Sequence, residues 1–207
     1  MPKHFILALF FICLIVAPVR AAEEPLVYSG FLGDYAKFKS YPHEPGVSTE
    51  THPTLDMYDY KKVMISDIEV RFAPDVDPLP LTRRQVKVLQ ESLRQKTRQF
   101  LSTQFDVVRE PGDDVLVFRL GITDIVPHDI HTPAWDPRNP GLMISFATIE
   151  TDFVVSTTGE RIFAILDERA SRRYQVILGS LAWWHTDDLF TQWGDVFRGI
   201  INEQYGR

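Results

Sequence analysis

The sequence predicts an α+β fold, a two-layer sandwich in which two main helices cover one face of a mostly antiparallel sheet. Three observations carry this. Residues 63–72 and 115–125 alternate apolar and polar side chains with the period of two expected of strands buried on one face. Residues 142–156 and 161–169 flank Thr157-Thr158-Gly159-Glu160, where Gly159 can supply the positive φ of a tight turn, so they read as a hairpin. Two further stretches carry apolar stripes at helical spacing, and such stripes need a sheet to cover.

Taken in chain order, the first element is an export signal over residues 1–21. Lys3 precedes an unbroken apolar run, residues 5–16, which is shorter than the ~20 residues a membrane-spanning helix needs. Cys13, the chain's single cysteine, follows the bulky Phe10-Phe11-Ile12 and so makes a poor lipidation site. Val19-Arg20-Ala21 places small side chains where a signal peptidase reads them, just after the helix-breaking Pro18. Cleavage is therefore expected after Ala21, the alternative being an uncleaved N-terminal anchor.

Residues 22–60 read as an aromatic N-terminal segment followed by an extended connector. Phe31, Tyr35 and Phe38 fall at i, i+4 and i+7, one face of a short helix started by Ser29. Residues 40–60 are rich in Pro, His, Glu, Thr and Tyr without a period, and low order is expected there. Residues 61–207 then form the α+β domain. The strand over 63–72 places Met64, Ile68, Val70 and Phe72 on its buried face. Thr82 and Gln85 have the spacing of a capping box, Leu81 can staple against Val86, and Val86, Leu89, Leu93, Phe100 and Leu101 form the stripe of a helix ending near Phe105. The strand over 115–125 sets Leu116, Phe118, Leu120 and Ile122 against Arg119 and Thr123. In the hairpin, Ser156 facing Arg161 would put Phe153 opposite Ala164, Thr151 opposite Leu166 and Glu150 opposite Asp167. Thr186 starts a last helix with Asp187 and Asp188 at its positive end and Leu189, Trp193, Val196, Phe197, Ile200 and Ile201 along its stripe.

Composition narrows the function. The chain carries 22 basic and 28 acidic residues, a net charge of −6, and signal removal would discard Lys3 and Arg20 and no acid. An acidic protein lacks the basic face that nucleic-acid phosphates need. Without cysteine after cleavage there are no disulfides, thiolate metal sites or thiol nucleophile. No glycine-rich nucleotide loop or Gly-x-Ser-x-Gly elbow occurs, and no cofactor is implied.

Three constellations remain. His128 and His131, with Asp136 beyond, could ligate Zn or Cu, but Pro127 and Pro133 disfavour a regular helix and a stable site wants three or four converging ligands, which favours solvated loop histidines. Glu150 and Asp167, with Asp152, share one face of the expected hairpin near Arg119, Arg161 or Arg169. Such carboxylates could serve as acid and nucleophile on a glycosidic bond, or could simply be ion-paired on a wet sheet face. Trp183 and Trp184 before the last helix, and Trp135 in the long loop, could stack on sugars or anchor an interface, or close the end of the core.

The stretches "YSGFLGDYAKFK", "YDYKKVMISDIEV" and "STTGERIFAILDERASRR", in this order, resemble a bacterial cell-envelope family catalogued as domain of unknown function 3313. The resemblance runs from Tyr28 to roughly Arg173. It implies an envelope compartment and carries over no activity and no catalytic residue. Many of that family's members are lipoproteins, from which this chain departs at Cys13.

Together these readings favour an exported, non-enzymatic envelope protein of the periplasm that binds another envelope protein or glycan through the N-terminal aromatics Phe31, Tyr35 and Phe38, the loops or the wet sheet face. The alternative is a periplasmic glycan hydrolase using Glu150 and Asp167. N-terminal sequencing of the exported protein should begin at Ala22, and recovery of a form acylated at Cys13 would overturn that expectation.

Overall fold

The computed structural model describes residues 28–76, 81–127, 143–168 and 184–204. They hold β1 (Lys39–Ser40), β2 (Val47–Thr51), a 3-10 turn (Met57–Asp59), β3 (Lys62–Ile65), β4 (Glu69–Phe72), α1 (Arg83–Leu101), β5 (Asp106–Val108), β6 (Val115–Pro127), β7 (Met143–Val155), β8 (Arg161–Asp167), β9 (Trp184–His185) and α2 (Thr186–Gln204). All the strands join one sheet in the order β1-β2-β8-β7-β6-β3-β5, with β4 also on β6 and β9 also on β7.

The fold is α+β, but the sheet is mixed rather than mostly antiparallel. β3 runs parallel to both β5 and β6, and β4 runs parallel to β6. The order of elements explains the correction. α1 lies in the chain between β3/β4 and β5/β6, and a strand that continues through a helical crossover returns in the same direction. Antiparallel pairing is kept where β6 meets β7, β7 meets β8, β8 meets β2 and β2 meets β1.

Two expected elements change shape. Residues 63–72 are not one strand: the chain leaves the ladder at residues 66–68, and the phase slips there. Val63 and Ile68, an odd number of residues apart, are both buried, while Met64 is only half-buried. The break is held from α1, whose Arg94 donates to the carbonyl of Ser66 at 3.1 Å and whose Gln90 donates to that of Ile68 at 2.7 Å. Residues 40–60 are likewise not a connector. Val47, Ser48, Thr49, Glu50 and Thr51 pair residue by residue with β8, and Val47 and Met57 are core residues.

α1 starts as its sequence dictates, with Thr82 and Gln85 exchanging side-chain and backbone hydrogen bonds in a capping box. It ends at Leu101 rather than near Phe105, because the Ser102 and Thr103 hydroxyls turn back onto the carbonyls of Gln99 and Phe100. Phe105 still reaches the core, as a loop residue whose ring lies 5.9 Å from Phe153. Phe197 of α2 ties the core together. Its ring meets Phe100 of α1 at 5.3 Å, Trp193 at 4.8 Å, and Phe118 and Phe153 of the sheet at about 6 Å. Both helices therefore share one face of the sheet. Such ring pairs contribute about 0.5–1.5 kcal/mol each beyond the area they bury.

Candidate functional site

The reverse face of the sheet carries charge, and the alternation of β6, β7 and β8 dictates which residues appear there. With Phe118 opposite Phe153 and Phe153 opposite Phe163 on the helix side, Arg119 must pair with Asp152, Gly121 with Glu150 and Thr123 with Thr148 on the other. Asp152 is fully buried and Glu150 is 1 % exposed. Buried carboxylates are tolerated only when their oxygens are satisfied.

Asp152 is satisfied by two guanidinium groups. Arg119 grips both its oxygens, Nε at 2.7 Å from Oδ1 and a terminal nitrogen on Oδ2, and the Nε of Arg161 reaches Oδ2 at 3.0 Å. The carboxylate in turn pushes the Arg119 guanidinium above its ordinary pKa. Arg161 continues outward to Glu50 of β2 at 2.7 Å, so one ion-pair chain links four strands: β6, β7, β8 and β2.

Glu150 is satisfied by hydroxyls. Oε1 accepts from Ser29 and, at 2.7 Å, from Thr123, while Oε2 accepts from Tyr35 at 2.5 Å. The Ser29 and Tyr35 hydroxyls accept in their turn from the backbone N–H groups of Phe31 (3.0 Å) and Leu32 (3.1 Å). Each hydroxyl thus relays a loop amide to the buried carboxylate. Arg161 adds bonds to the carbonyls of Leu32 and Asp34, and Arg71 donates to that of Ser29 at 3.1 Å.

The N-terminal segment is therefore docked on this face, but not as the helix the aromatic spacing predicts. Gly30 and Gly33 adopt φ of +80° and +77°, which breaks helical continuation and turns the chain tightly. Tyr35 instead stacks on Tyr28 at 4.2 Å and leans on Phe38 at 5.9 Å, with the Arg161 guanidinium above the Phe38 ring. The Phe31 ring fills the space above Gly121, where an added Cβ would come within 3.0 Å of it. Leu32 is buried to 3 %.

Glu150 and Asp167 are not brought together. Glu150 lies opposite Leu166, and Asp167 lies opposite Ile149 on the other face of the sheet. The expected register fails because Val154 pairs with Arg161 while Phe153 pairs with Phe163, leaving Ile162 as a bulge. A slip of one residue sends a side chain to the opposite face. Nor is the polar face wet, since residues 29–38 cover Glu150 and Arg161.

Trp135, Trp183, His128, His131, Asp136 and Arg169 lie outside the described residues. Trp184 is placed by its backbone alone, in β9 opposite Ile144. Ser29, Glu50, Arg71, Thr123 and the hydroxyl of Tyr35 are parts of the site that sequence reasoning missed. The available signal was two carboxylates at alternate positions inside a long strand, which require buried partners.

This arrangement, an α+β domain whose polar sheet face is closed by its own N-terminal segment, has a family match. The chain belongs to the family described as "Protein of unknown function (DUF3313)", whose model matches residues 27–134. That match spans the docked segment, β1 to β6 and α1, and ends before the β7–β8 hairpin. Among solved structures, a PelC dodecamer from Paraburkholderia phytofirmans is 11 % identical with a TM-score of 0.30, over 58 % of this chain and 76 % of that one. A neuraminyllactose-binding hemagglutinin homolog from Helicobacter pylori is 12 % identical with a TM-score of 0.37, over 73 % and 88 %. At these scores the likeness carries no functional argument. No curated protein matches.

Two outcomes are expected at the site. Glu150→Gln replaces one acceptor oxygen with a donor facing hydroxyls already committed as donors. It should lower unfolding free energy by about 1–3 kcal/mol in denaturant titration and expose residues 28–38 to protease; an unchanged melt with an intact segment would refute the relay. Second, burial and the adjacent Glu150 raise the pKa of Tyr35 above its ordinary 10.0. The folded state then holds this proton longer than the unfolded chain does, so the contribution is complete below about pH 10 and is lost as pH climbs through the raised value. Tyr41, pushed up to about 12 by burial and Glu203, acts in the same direction. Tyr35→Phe should thus remove one late step, and only one, from the alkaline tyrosinate absorbance titration.

Proposed function

We propose that this protein is an exported cell-envelope protein that acts by binding rather than by catalysis. The observation that carries the reading is the commitment of the polar sheet face to the chain itself. Glu150 and Asp152, the two carboxylates expected there that remain on one face, are buried and bound by Ser29, Tyr35, Thr123, Arg119 and Arg161. A carboxylate acting on a glycosidic bond must reach the substrate oxygen and carry a proton to or from it. These two meet neither condition while the segment is docked.

The same observation redirects the binding surface. Phe31, Tyr35 and Phe38 are turned onto the protein's own body and are not offered to a partner. What remains for recognition is the helix surfaces, the sheet edges and the loops. Among the described residues no helix is long and apolar enough to cross a membrane.

The purified protein should show no saturable hydrolysis of peptidoglycan or envelope polysaccharides. Saturable turnover lost in both Glu150→Gln and Asp167→Asn, with unchanged thermal melts, would overturn the reading and install the hydrolase.

A further inference from the structure

Two clefts lie at opposite ends of the sheet and carry opposite charge. Beneath α1 at the β3–β5 edge, a cleft of about 240 Å³ has an apolar floor that includes Ile65 and Val107 and a rim of Arg94, Arg98 and Arg109, with no carboxylate in its lining. Arg94 is engaged by Asp67, whereas Arg98 and Arg109 make no ion pair among the described residues. At the β1 edge, between α2 and the turn joining β1 to β2, a cleft of about 390 Å³ is lined by Tyr41, His43, Val196 and Ile200 and rimmed by Glu44, Asp195 and Glu203, with no lysine or arginine in its lining. Asp195 is met at 3.2 Å by Arg198 from outside the cleft, and Glu203 by the Tyr41 hydroxyl and, at 3.2 Å, by His43, both ion pairs being solvent-exposed. The sheet order puts β5 and β1 at its two ends, each with one side unpaired among the described residues.

We propose that the arginine-rimmed edge of one molecule docks on the acid-rimmed edge of a second copy. The two lining sets match in kind, cationic against anionic around an apolar centre, and a single chain presents both. Joining different patches head to tail leaves a free patch at each end, so the contact propagates into a ring if the rotation closes and into an open chain if it does not. An acidic partner of another kind would account for the arginine edge alone and leave the acidic one unexplained. The inference goes beyond the proposed function and holds whether or not the protein is exported or catalytic.

Two variants block one edge each without touching the core. Arg98→Glu with Arg109→Glu reverses the cationic rim. Gly199→Arg fills the acidic cleft from α2, at a position where an added Cβ meets nothing within 4 Å. Sedimentation of the purified wild-type protein should show concentration-dependent association that weakens in high salt, because the rims are exposed. Each variant alone should associate at least about tenfold more weakly, a change of about 1.4 kcal/mol. Mixed together they should form a 1:1 pair and nothing larger, since one retains the acidic edge and the other the basic edge. Thermal melts of both variants confirm folding. A monomeric wild type at every concentration, association indifferent to either variant, or a mixture that fails to pair would each overturn the proposal.

Discussion

The structure depends on placing Asp152, at zero exposure toward the C-terminal end of β7, between Arg119 and Arg161. Removing a carboxylate from water costs several kcal/mol, and only close cations with good geometry offset that cost. Arg119 comes from the strand on one side and Arg161 from the strand on the other, so the ion pairs form only when β6, β7 and β8 are in their native register. A slip of one residue would leave a buried charge uncompensated. The sheet's alternation is thus enforced from both faces, by apolar packing around Phe118, Phe153 and Phe197 on one side and by charge pairing on the other.

Closure by residues 28–38 follows from the same constraint. An ion-paired face open to water would be screened and weakly held. With Leu32, Phe31 and Tyr35 over it, the local dielectric falls and each bond strengthens, while any unmet partner becomes more costly. The segment supplies what the face still lacks: hydroxyls for Glu150, carbonyls for Arg161 and Arg71, and a ring above Gly121. A Cβ added at position 121 would crowd the Phe31 ring at 3.0–3.2 Å, so glycine there lets the ring sit close on the sheet. Two glycines of positive φ shape the segment so that its polar groups converge, which a helix with its amides turned inward would not achieve.

Sequence legibility divides along physical lines. Local rules held where local energetics decide: the Thr82–Gln85 capping box, the positive φ of Gly159, and the stripe of α2 from Trp193 to Ile201. Readings that needed nonlocal information failed. The aromatic spacing of Phe31, Tyr35 and Phe38 suited a helix, but Gly30 and Gly33 and the pull of Glu150 dictated a turn. Residues 47–51 carry Val47, Thr49 and Thr51 at alternate positions, a strand signal five residues long that the surrounding Pro, His and Glu obscured. The bulge at Ile162 has no signature in composition, and it alone moves Asp167 to the helix face.

Asp124 shows how the mixed sheet accommodates its crossover. At φ 50° it is a non-glycine residue in the left-handed region, which aspartate tolerates better than most. It sits where β6 gains a residue relative to β7, between the pairs Thr123–Thr148 and Val126–Phe146, and the β4 pairing shifts at the same place, between Val70 and Phe72. One extra residue thus serves two ladders at once, on the antiparallel side and the parallel side of the same strand. Bulges increase local twist, and here the result keeps Ile122 and Ile125, an odd number of residues apart, both fully buried. The carboxyl of Asp124 is left half-buried, its pKa raised by burial and by the nearby Glu150 charge, with Thr123 and Arg71 opposing the rise. The bend in β6 and the hydroxyl-bound carboxylate beside it are therefore coupled, since Thr123 serves both, which places the end of the docked segment and the turn of the sheet under one set of contacts.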